Sequence, residues 1–397
     1  MIHEKKIKNN IKFDIIVVGA GPAGIAFACG FVGTNIKVAI IDKLPREVIA
    51  NPKIDGREIA LTHHSVKILK KLNVWRYISN KSISVIKEAR VLDGDSKYFL
   101  NFDHQEIQKD CLGYLIPNHI IRKNLYKRLK NFPNITFINK TECLSVNINS
   151  QFASITLSNG KKIKTSLVVA ADSRFSKMRS KMGISAFTRD FNKNMIVCRM
   201  KHEKPHKNIA YEFFRYNQTQ ATLPYINNQS GIVTTATKDL ASILMRMDKK
   251  KFNKEMESRF NNFFGKMKLL GKRYSYPMVT TYTKKFISHR FAVIGDAAVG
   301  MHPVTAHGFN LGLKGLDILI DEIKAALKNK SDFGLTDTLK NYQYKLHRVA
   351  APVYLATNSI INLYTSNILP AKLTRQFILR FVNTIKPVKQ TFLNILK

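Results

Sequence analysis

Phe13-Asp14-Ile15-Ile16-Val17-Val18-Gly19-Ala20-Gly21-Pro22-Ala23-Gly24 is a short β-rich run that breaks into a glycine turn and continues into small residues suited to a helix from about Pro22 to Val32. Lys37-Val38-Ala39-Ile40-Ile41-Asp42 then reads as a second strand ending in an acid. Strand, glycine turn, helix, strand and acid make a dinucleotide-binding βαβ unit in which each part has a task. Gly19 permits the tight turn, Gly21 lets backbone approach a pyrophosphate, and Gly24 lets the helix pack on the sheet. The helix N-terminus offers unpaired N–H groups to phosphate, and Asp42 takes the ribose hydroxyls. A glycine-rich packing turn without a ligand would leave the flanking strands and the spaced acid unexplained. The uncharged run from Ile15 to Gly33, preceded by Lys5, Lys6, Lys8 and Lys12, also imitates a signal peptide or spanning helix. Its glycines weaken a lone spanning helix, and no A-x-A-like cleavage site follows.

Outward from this unit the chain keeps an α/β pattern. Asp55-Gly56-Arg57-Glu58-Ile59-Ala60-Leu61 leads into a predicted helix over Thr62 to Leu72 with Thr62 as its cap, and a second helix is predicted from about His119 to Leu129. Runs at Ile135–Ile138, Leu144–Ile148, Ala153–Leu157 and Leu167–Ala171 predict a meander returning to a parallel sheet. More strands, among them Ile209–Phe214 and Ser230–Ala236, precede a Lys-rich helix around Asp248 to Phe264. A second glycine motif, Phe291-Ala292-Val293-Ile294-Gly295-Asp296-Ala297-Ala298, is again a strand ending in a carboxylate, and a helix opens near Gly308-Phe309-Asn310. Asp296 suits a polyol hydroxyl, while that helix aims its positive end at developing negative charge. The first motif alone does not separate NAD from FAD. Two distant pieces of chain holding one extended cofactor favour FAD.

With 397 residues, 45% apolar and 23% charged, the chain holds enough apolar residues for about two to three domains and is no disordered polyelectrolyte. Cys29, Cys111, Cys143 and Cys198 form no C-x-x-C pair and imply neither a disulfide framework nor a metal site, which fits a reducing compartment. The formal charge of +38 has two readings: compositional drift over a solvated surface, or attraction to a polyanion, either nucleic acid or an anionic membrane. Distribution favours the membrane. After Asp337 no carboxylate occurs, and Lys340, Lys345, Arg348, Lys372, Arg375, Arg380, Lys386, Lys389 and Lys397 are interleaved with apolar residues. Within this stretch Leu373, Phe377, Ile378 and Phe381 fall near one helical face. No RNA-binding motif supports the nucleic-acid reading.

Five motifs in order resemble the FAD-dependent ubiquinone-biosynthesis hydroxylases, a branch of the single-component (class A) aromatic monooxygenases: Gly19–Gly24 with Asp42, Asp55–Leu61, Leu112-Gly113-Tyr114 with Arg122, Ala171-Asp172-Ser173-Arg174 through Arg179, and Gly295-Asp296 through Leu313. The string from Gly295 to Asn310 is most similar to the branch that hydroxylates C5 of demethoxyubiquinol. The resemblance implies an α/β fold with a Rossmann-like FAD-binding domain, a β-sheet substrate domain and C-terminal helices. It implies an FAD-binding part at 1–80, a substrate-domain insertion at 81–100, FAD-binding continuations at 101–185 and 281–330, a substrate domain at 186–280 and a basic helical end at 331–397.

It further implies that Asp42 and Lys43 lie at the adenosine ribose, that Arg57 and Arg122 lie along the FAD, and that Asp172 supports the pyrophosphate region. Gly295 and Asp296 would hold the ribityl chain, with Pro303, Gly308, Phe309 and Asn310 at the isoalloxazine. A surface ion pair for the arginines and a helix cap for Asp172 are the competing readings, and Ser173 stands where the family usually has glycine. His307 replaces a usual glutamine, so His307 and Pro303 are the residues expected nearest the chemistry, His307 either hydrogen-bonding the flavin or capping its helix. Phe213, Phe214, Leu223, Pro224 and Tyr225 are candidate pocket walls. The implied reaction uses O2 and an NAD(P)H donor, proceeds through a flavin C4a-hydroperoxide, and acts on a polyprenylated phenol or quinol at the inner face of the cell membrane, with other ubiquinone-synthesis proteins as candidate partners. The alternatives are a soluble aromatic hydroxylase, a geranylgeranyl-type reductase, or a non-catalytic flavin-binding subunit.

Overall fold

The apolar runs of the sequence sort into two large sheets and one small one. The computed structural model describes residues 12–94, 98–215, 218–302 and 307–365. The first βαβ unit is β1 (Phe13–Val18), α1 (Pro22–Cys29) and β2 (Val38–Ile41), followed by α2 (Arg46–Ala50), β3 (Glu58–Leu61) and α3 (His63–Lys71). Then come β4 (Ser84–Ile86), β5 (Glu88–Asp93), β6 (Phe99–Asp103), β7 (Gly113–Pro117), α4 (Asn118–Leu129), β8 (Ile135–Ile138), β9 (Cys143–Ile148), β10 (Ala153–Leu157), β11 (Lys162–Ala170) and α5 (Lys177–Lys181). Two 17-residue strands, β12 (Ala186–His202) and later β16 (Met267–Thr283), bracket β13 (Ile209–Arg215), β14 (Gln218–Pro224), β15 (Gln229–Thr237), α6 (Lys238–Arg246) and α7 (Lys249–Arg259). The chain returns through β17 (Ile287–Ser288), β18 (Phe291–Val293) and β19 (Val299–Gly300) to α8 (His307–Lys328) and α9 (Thr336–Thr365).

The first sheet runs β17-β18-β11-β1-β2-β8, with β10 joining β11 and β9 joining β10. Its strands β18, β11, β1, β2 and β8 are mutually parallel, and β1 and β2 are almost wholly buried, as expected of strands covered on both faces. The second sheet runs β19-β16-β12-β15-β14-β13-β5-β6, and β3, β7 and β4 form a third. One core fills the parallel layer, and a second lies under α6 and α7 on the outer face of the second sheet.

Three sequence expectations change. Ile135–Ile138 is no part of the meander: it pairs in parallel with Val38–Ile41 at the sheet edge, because α4 carries the chain over the sheet first. α1 stops at Cys29 rather than Val32, as turn bonds from Gly30 and Phe31 replace the helical ladder. α7 ends at Arg259 rather than Phe264, where Asn261 and Asn262 take left-handed φ values of 49° and 53°. Thr62 caps α3 as read, accepting the Ser65 amide. No described helix is long and apolar enough to cross a membrane, and Leu373 to Phe381 lie outside the described residues.

Candidate active site

The two glycine motifs meet in space. Gly19 adopts φ +110°, and a Cβ there would stand 2.5 Å from the Ala171 carbonyl oxygen. A Cβ on Gly24 would stand 2.0 Å from the Gly19 oxygen, so helix and strand approach more closely than any side chain allows. Gly21 occupies the N-cap of α1 with no side chain capping the first turn, which leaves that helix end open to an anion. Gly295 adopts φ +58°, and a Cβ on it would stand 2.6 Å from the Ala23 Cβ, so the second turn rests on the first helix. These backbone cradles and the open helix end fit an extended, phosphate-bearing cofactor.

Asp42 ties the first turn to β2: one carboxylate oxygen accepts the Ala20 amide at 2.6 Å and the other the Leu44 amide at 2.8 Å. Each oxygen keeps a lone pair for a ribose hydroxyl, and Lys43 beside it is exposed. Asp172 accepts from the Ser176 hydroxyl (2.5 Å) and the Met178 amide (3.1 Å), and so holds the start of α5, as its helix-cap reading has it. Ser173 takes the glycine-like φ of +87°. Asp296 pairs with Arg174 at 2.8 Å, and the same guanidinium donates to the Val279 carbonyl of β16 at 2.6 Å. Asn310 clamps α8 to β3, accepting the Thr62 amide (3.1 Å) and donating to the Ala60 carbonyl (2.8 Å). Phe309 packs half-buried on the core, Gly308 faces Met301, and His307 begins α8 half-buried. Pro303 lies outside the described residues.

Arg57 pairs with Asp55 at 2.6 Å and lies over the Tyr276 ring, while Arg122 is half-buried and faces the same pair. Burial works to raise the Asp55 carboxyl, but the Arg57 charge and hydrogen bonds from Arg57 and Asn118 outweigh it and hold Asp55 below the usual carboxylate range.

Beside the second motif lies a cavity of about 250 Å³ lined by Arg189, Phe191, Lys193, Thr219, Thr235 and His302, with Phe214, Met278 and Ile361 completing its apolar side. His302 is 4% exposed and packs edge-to-face on Phe191. Burial, then the positive charges of Lys193, Arg189 and Arg174, push it down to about 3, so it works as a neutral imidazole. Of the apolar residues expected as walls, Phe214 lines the cavity, but Phe213 points the other way, packing on Phe260 and Phe263 in the outer core. Period-2 alternation separates these neighbours. Leu223 lies opposite Gly231, and Tyr225 carries the Arg199 guanidinium 3.9 Å above its ring. Sequence reasoning did not single out Thr219, Thr235 or Arg189, which no motif marks, and it quoted Arg174 within a motif without giving it a role. The only signal for His302 was its place within the second motif.

The family model described as "FAD binding domain" matches residues 12–356. The chain is 40% identical over 381 residues to ubiquinone hydroxylase UbiM of Neisseria meningitidis, an alignment covering 95% of this chain and 83% of that protein. Ubiquinone hydroxylase UbiL of Rhodospirillum rubrum is 30% identical, covering 96% of this chain and 88% of that one. Among solved structures, p-nitrophenol 4-monooxygenase PnpA of Pseudomonas putida superposes with a TM-score of 0.78 over 96% of both chains at 13% identity, a likeness of fold.

Proposed function

We infer the reaction from one premise: the chain belongs to the FAD-binding ubiquinone hydroxylases. It is an FAD-dependent aromatic-ring monooxygenase acting in ubiquinone biosynthesis. Our reading goes further and assigns it the ring of a polyprenylated demethoxyubiquinol, hydroxylated at C5, with O2 as co-substrate and NAD(P)H as donor. The observation that carries this reading is the position of the cavity, between His302 at the second glycine motif and the Thr219–Thr235 face of the large sheet.

Bound FAD supplies the reductive activation of oxygen. The residues that would hold it are Gly19–Gly24 and Asp172 near the pyrophosphate, Asp42 and Lys43 at the adenosine, Arg57 and Arg122 alongside, Asp296 at the ribityl chain, and Pro303 with Gly308, Phe309 and Asn310 at the isoalloxazine. The N-terminus of α8 would favour a negatively charged ring system bound there, and His307 at its start would be a candidate donor. Neutral His302 and the threonine hydroxyls orient a ring hydroxyl, while Phe191, Phe214 and Met278 keep water from the reacting carbon.

A polyprenylated substrate resides in lipid, and the carboxylate-free basic stretch after Asp337 supports docking on an anionic membrane face. Mass spectrometry of quinones from cells lacking the protein, beside cells carrying Asp296→Ala, tests the assignment. A precursor one oxygen short in both strains is expected. Unchanged quinones would remove the substrate, and full function in an Asp296→Ala protein that has lost FAD would remove the catalytic reading.

A further inference from the structure

One half-buried acid of the large sheet is unused by that account. Glu212 lies on β13, two residues before the cavity-lining Phe214 and on the same face, opposite Ala221 of β14. It hydrogen-bonds Thr219, whose Oγ1 lies 3.0 Å from the Oγ1 of Thr235, and both threonines line the cavity. The Thr219 amide also donates to the Thr235 hydroxyl at 2.8 Å, which fixes the pair in place. Thus a chain of three side chains leads from the Glu212 carboxyl to the wall against which a substrate ring would lie.

We propose that Glu212, acting through the Thr219 hydroxyl, is the positioning residue that decides whether the cavity offers the substrate's ring hydroxyl an acceptor or a donor. When Glu212 is ionised, Thr219 must turn its proton toward the carboxylate, and its lone pairs then face Thr235 and the cavity. A ring hydroxyl donates to that oxygen, and its proton passes to Thr219 Oγ as the Thr219 proton passes to Glu212. One O–H bond breaks on the substrate, one forms and one breaks on Thr219, and one forms on Glu212; no electrons leave. The ring oxygen gains the electron density that favours attack on electrophilic oxygen, and the relay run backwards returns the proton to the product. When Glu212 is protonated it can donate to Thr219 itself, and the hydroxyl then points its proton at Thr235 or the cavity, where it no longer accepts.

Burial, against the smaller effect of the Thr219 hydrogen bond, raises the Glu212 carboxyl to about 8, which puts the change within reach of ordinary assay conditions. On β5 the residue sharing the Glu212 face with a charge is Asp93, while Glu88 and Arg90 pair with the opposite-face side of the register. β14 carries no charged residue, nor does α9 from Val349 to Leu363, whose Ile360 and Leu363 pack against the apolar cluster that includes Phe214. From the cavity side the groups are Arg189, Asp190, Lys193 and the neutral His302.

The inference rests on the ring-hydroxylase reading, and the test separates the two. FAD-loaded wild type, Glu212→Gln and Thr219→Val are compared by kcat/KM for a short-tailed demethoxyubiquinol from pH 6 to 9.5, and the protonated-carboxyl infrared band lost in Glu212→Gln is titrated over the same range. Expected are a wild-type rate rising through about pH 8, a band disappearing at the same midpoint, and variants that retain FAD but lose the rise, with rates ~100-fold lower at alkaline pH. Variants that keep the rise, or a band absent throughout the range, would overturn the relay. A wild type that makes no hydroxylated product would overturn the substrate assignment instead, and the infrared titration would still decide on the carboxyl.

Discussion

Replacing Gly24 by alanine sets two physical effects of opposite sign against each other. Alanine in a helix interior is favoured over glycine by about 1 kcal/mol, so propensity alone predicts stabilisation. The added Cβ, however, would stand 2.0 Å from the Gly19 carbonyl oxygen and 3.1 Å from a Val17 methyl. The first obstacle is backbone and cannot rotate aside, so α1 must retreat from β1 by about 1 Å to reach a tolerable contact. Ile25, Ala26, Phe27 and Ala28 ride on the same helix and are at most 1% exposed, so the retreat opens gaps along the core. Because the obstacle is backbone, the overpacking cost falls at the upper end of its usual range of about 1–3 kcal/mol, which exceeds the propensity gain and leaves a net loss of about 2 kcal/mol. The turn that would cradle the pyrophosphate moves with the helix, so FAD affinity should fall at least tenfold. Urea unfolding of the apoprotein reads the first effect and titration of flavin fluorescence the second. Gly33→Ala serves as control, since at φ +75° with nothing within 4 Å its only cost is backbone strain of about 1 kcal/mol, and FAD should still bind. A Gly24→Ala protein as stable as wild type, with unaltered FAD affinity, would refute the close-approach argument.

Three further outcomes are expected. Asp42→Ala removes the acceptor of two amides at 2.6 and 2.8 Å and should cost about 2–3 kcal/mol together with most bound flavin, with Asp42→Asn intermediate, as read by FAD content per purified chain. Asp332→Ala strips the carboxylate from Arg290, which is 2% exposed and would be left with only the Ser150 and Ser166 carbonyls; about 2–3 kcal/mol of stability should go while FAD affinity stays, and the reverse pattern in a melt and a titration would count against this. Glu212 has a folded pKa near 8 against an ordinary 4.5, so folding retains its proton where the unfolded chain has lost it, and its contribution to stability is full below 4.5 and drains away as pH rises to 8. Glu212→Gln should therefore gain on wild type by up to ~1.4 kcal/mol per pH unit across that window and level off above it; a difference independent of pH in paired urea titrations would show that the carboxyl is not desolvated.

How much of this was legible in sequence depends on whether the deciding physics is local. The close approach that Gly24 permits could be read because it lies within one strand-turn-helix unit, whereas Gly19 and Gly295 were legible as motif letters but not in what they meet, Ala171 and Ala23. Thr62 announced its cap because the amide it accepts is three residues away. Ile135–Ile138 was legible as a strand but not as the neighbour of Val38–Ile41, because alternation specifies faces, not partners. Glu212, Thr219 and Thr235 come together only once β13, β14 and β15 are in register, and as single letters they look like any polar residues in half-buried strands. Phe213 and Phe214 show the same limit, since their chemistry is identical and only the strand's phase sends one to the outer core and the other to the cavity.

Arg174 joins the two layers that the motifs address separately. Its guanidinium spans Asp296, just past β18 of the parallel sheet, and the Val279 carbonyl of β16 in the second sheet, and Arg179, 6% exposed, donates to the Arg174 and Ala297 carbonyls behind it. Ser173 enters this corner at φ +87°, a conformation that costs an L-residue about 1–2 kcal/mol and that glycine would adopt freely. The strain persists because the residues on both sides are fixed, Asp172 by the Ser176 hydroxyl and Met178 amide, and Arg174 by its two partners. A side chain at this corner is therefore tolerated by the bonds around it, and the departure from glycine need not spoil the approach of β11 to the first glycine turn, which the Gly19 contact with Ala171 keeps closed. The same geometry means that whatever occupies Asp296 competes for, or adds to, the charge that holds β16 in place. Met278, the neighbour of Val279, lines the cavity. Asp296 and the cavity wall thus share one guanidinium, which gives a change at Asp296 a direct physical route to the shape of the pocket.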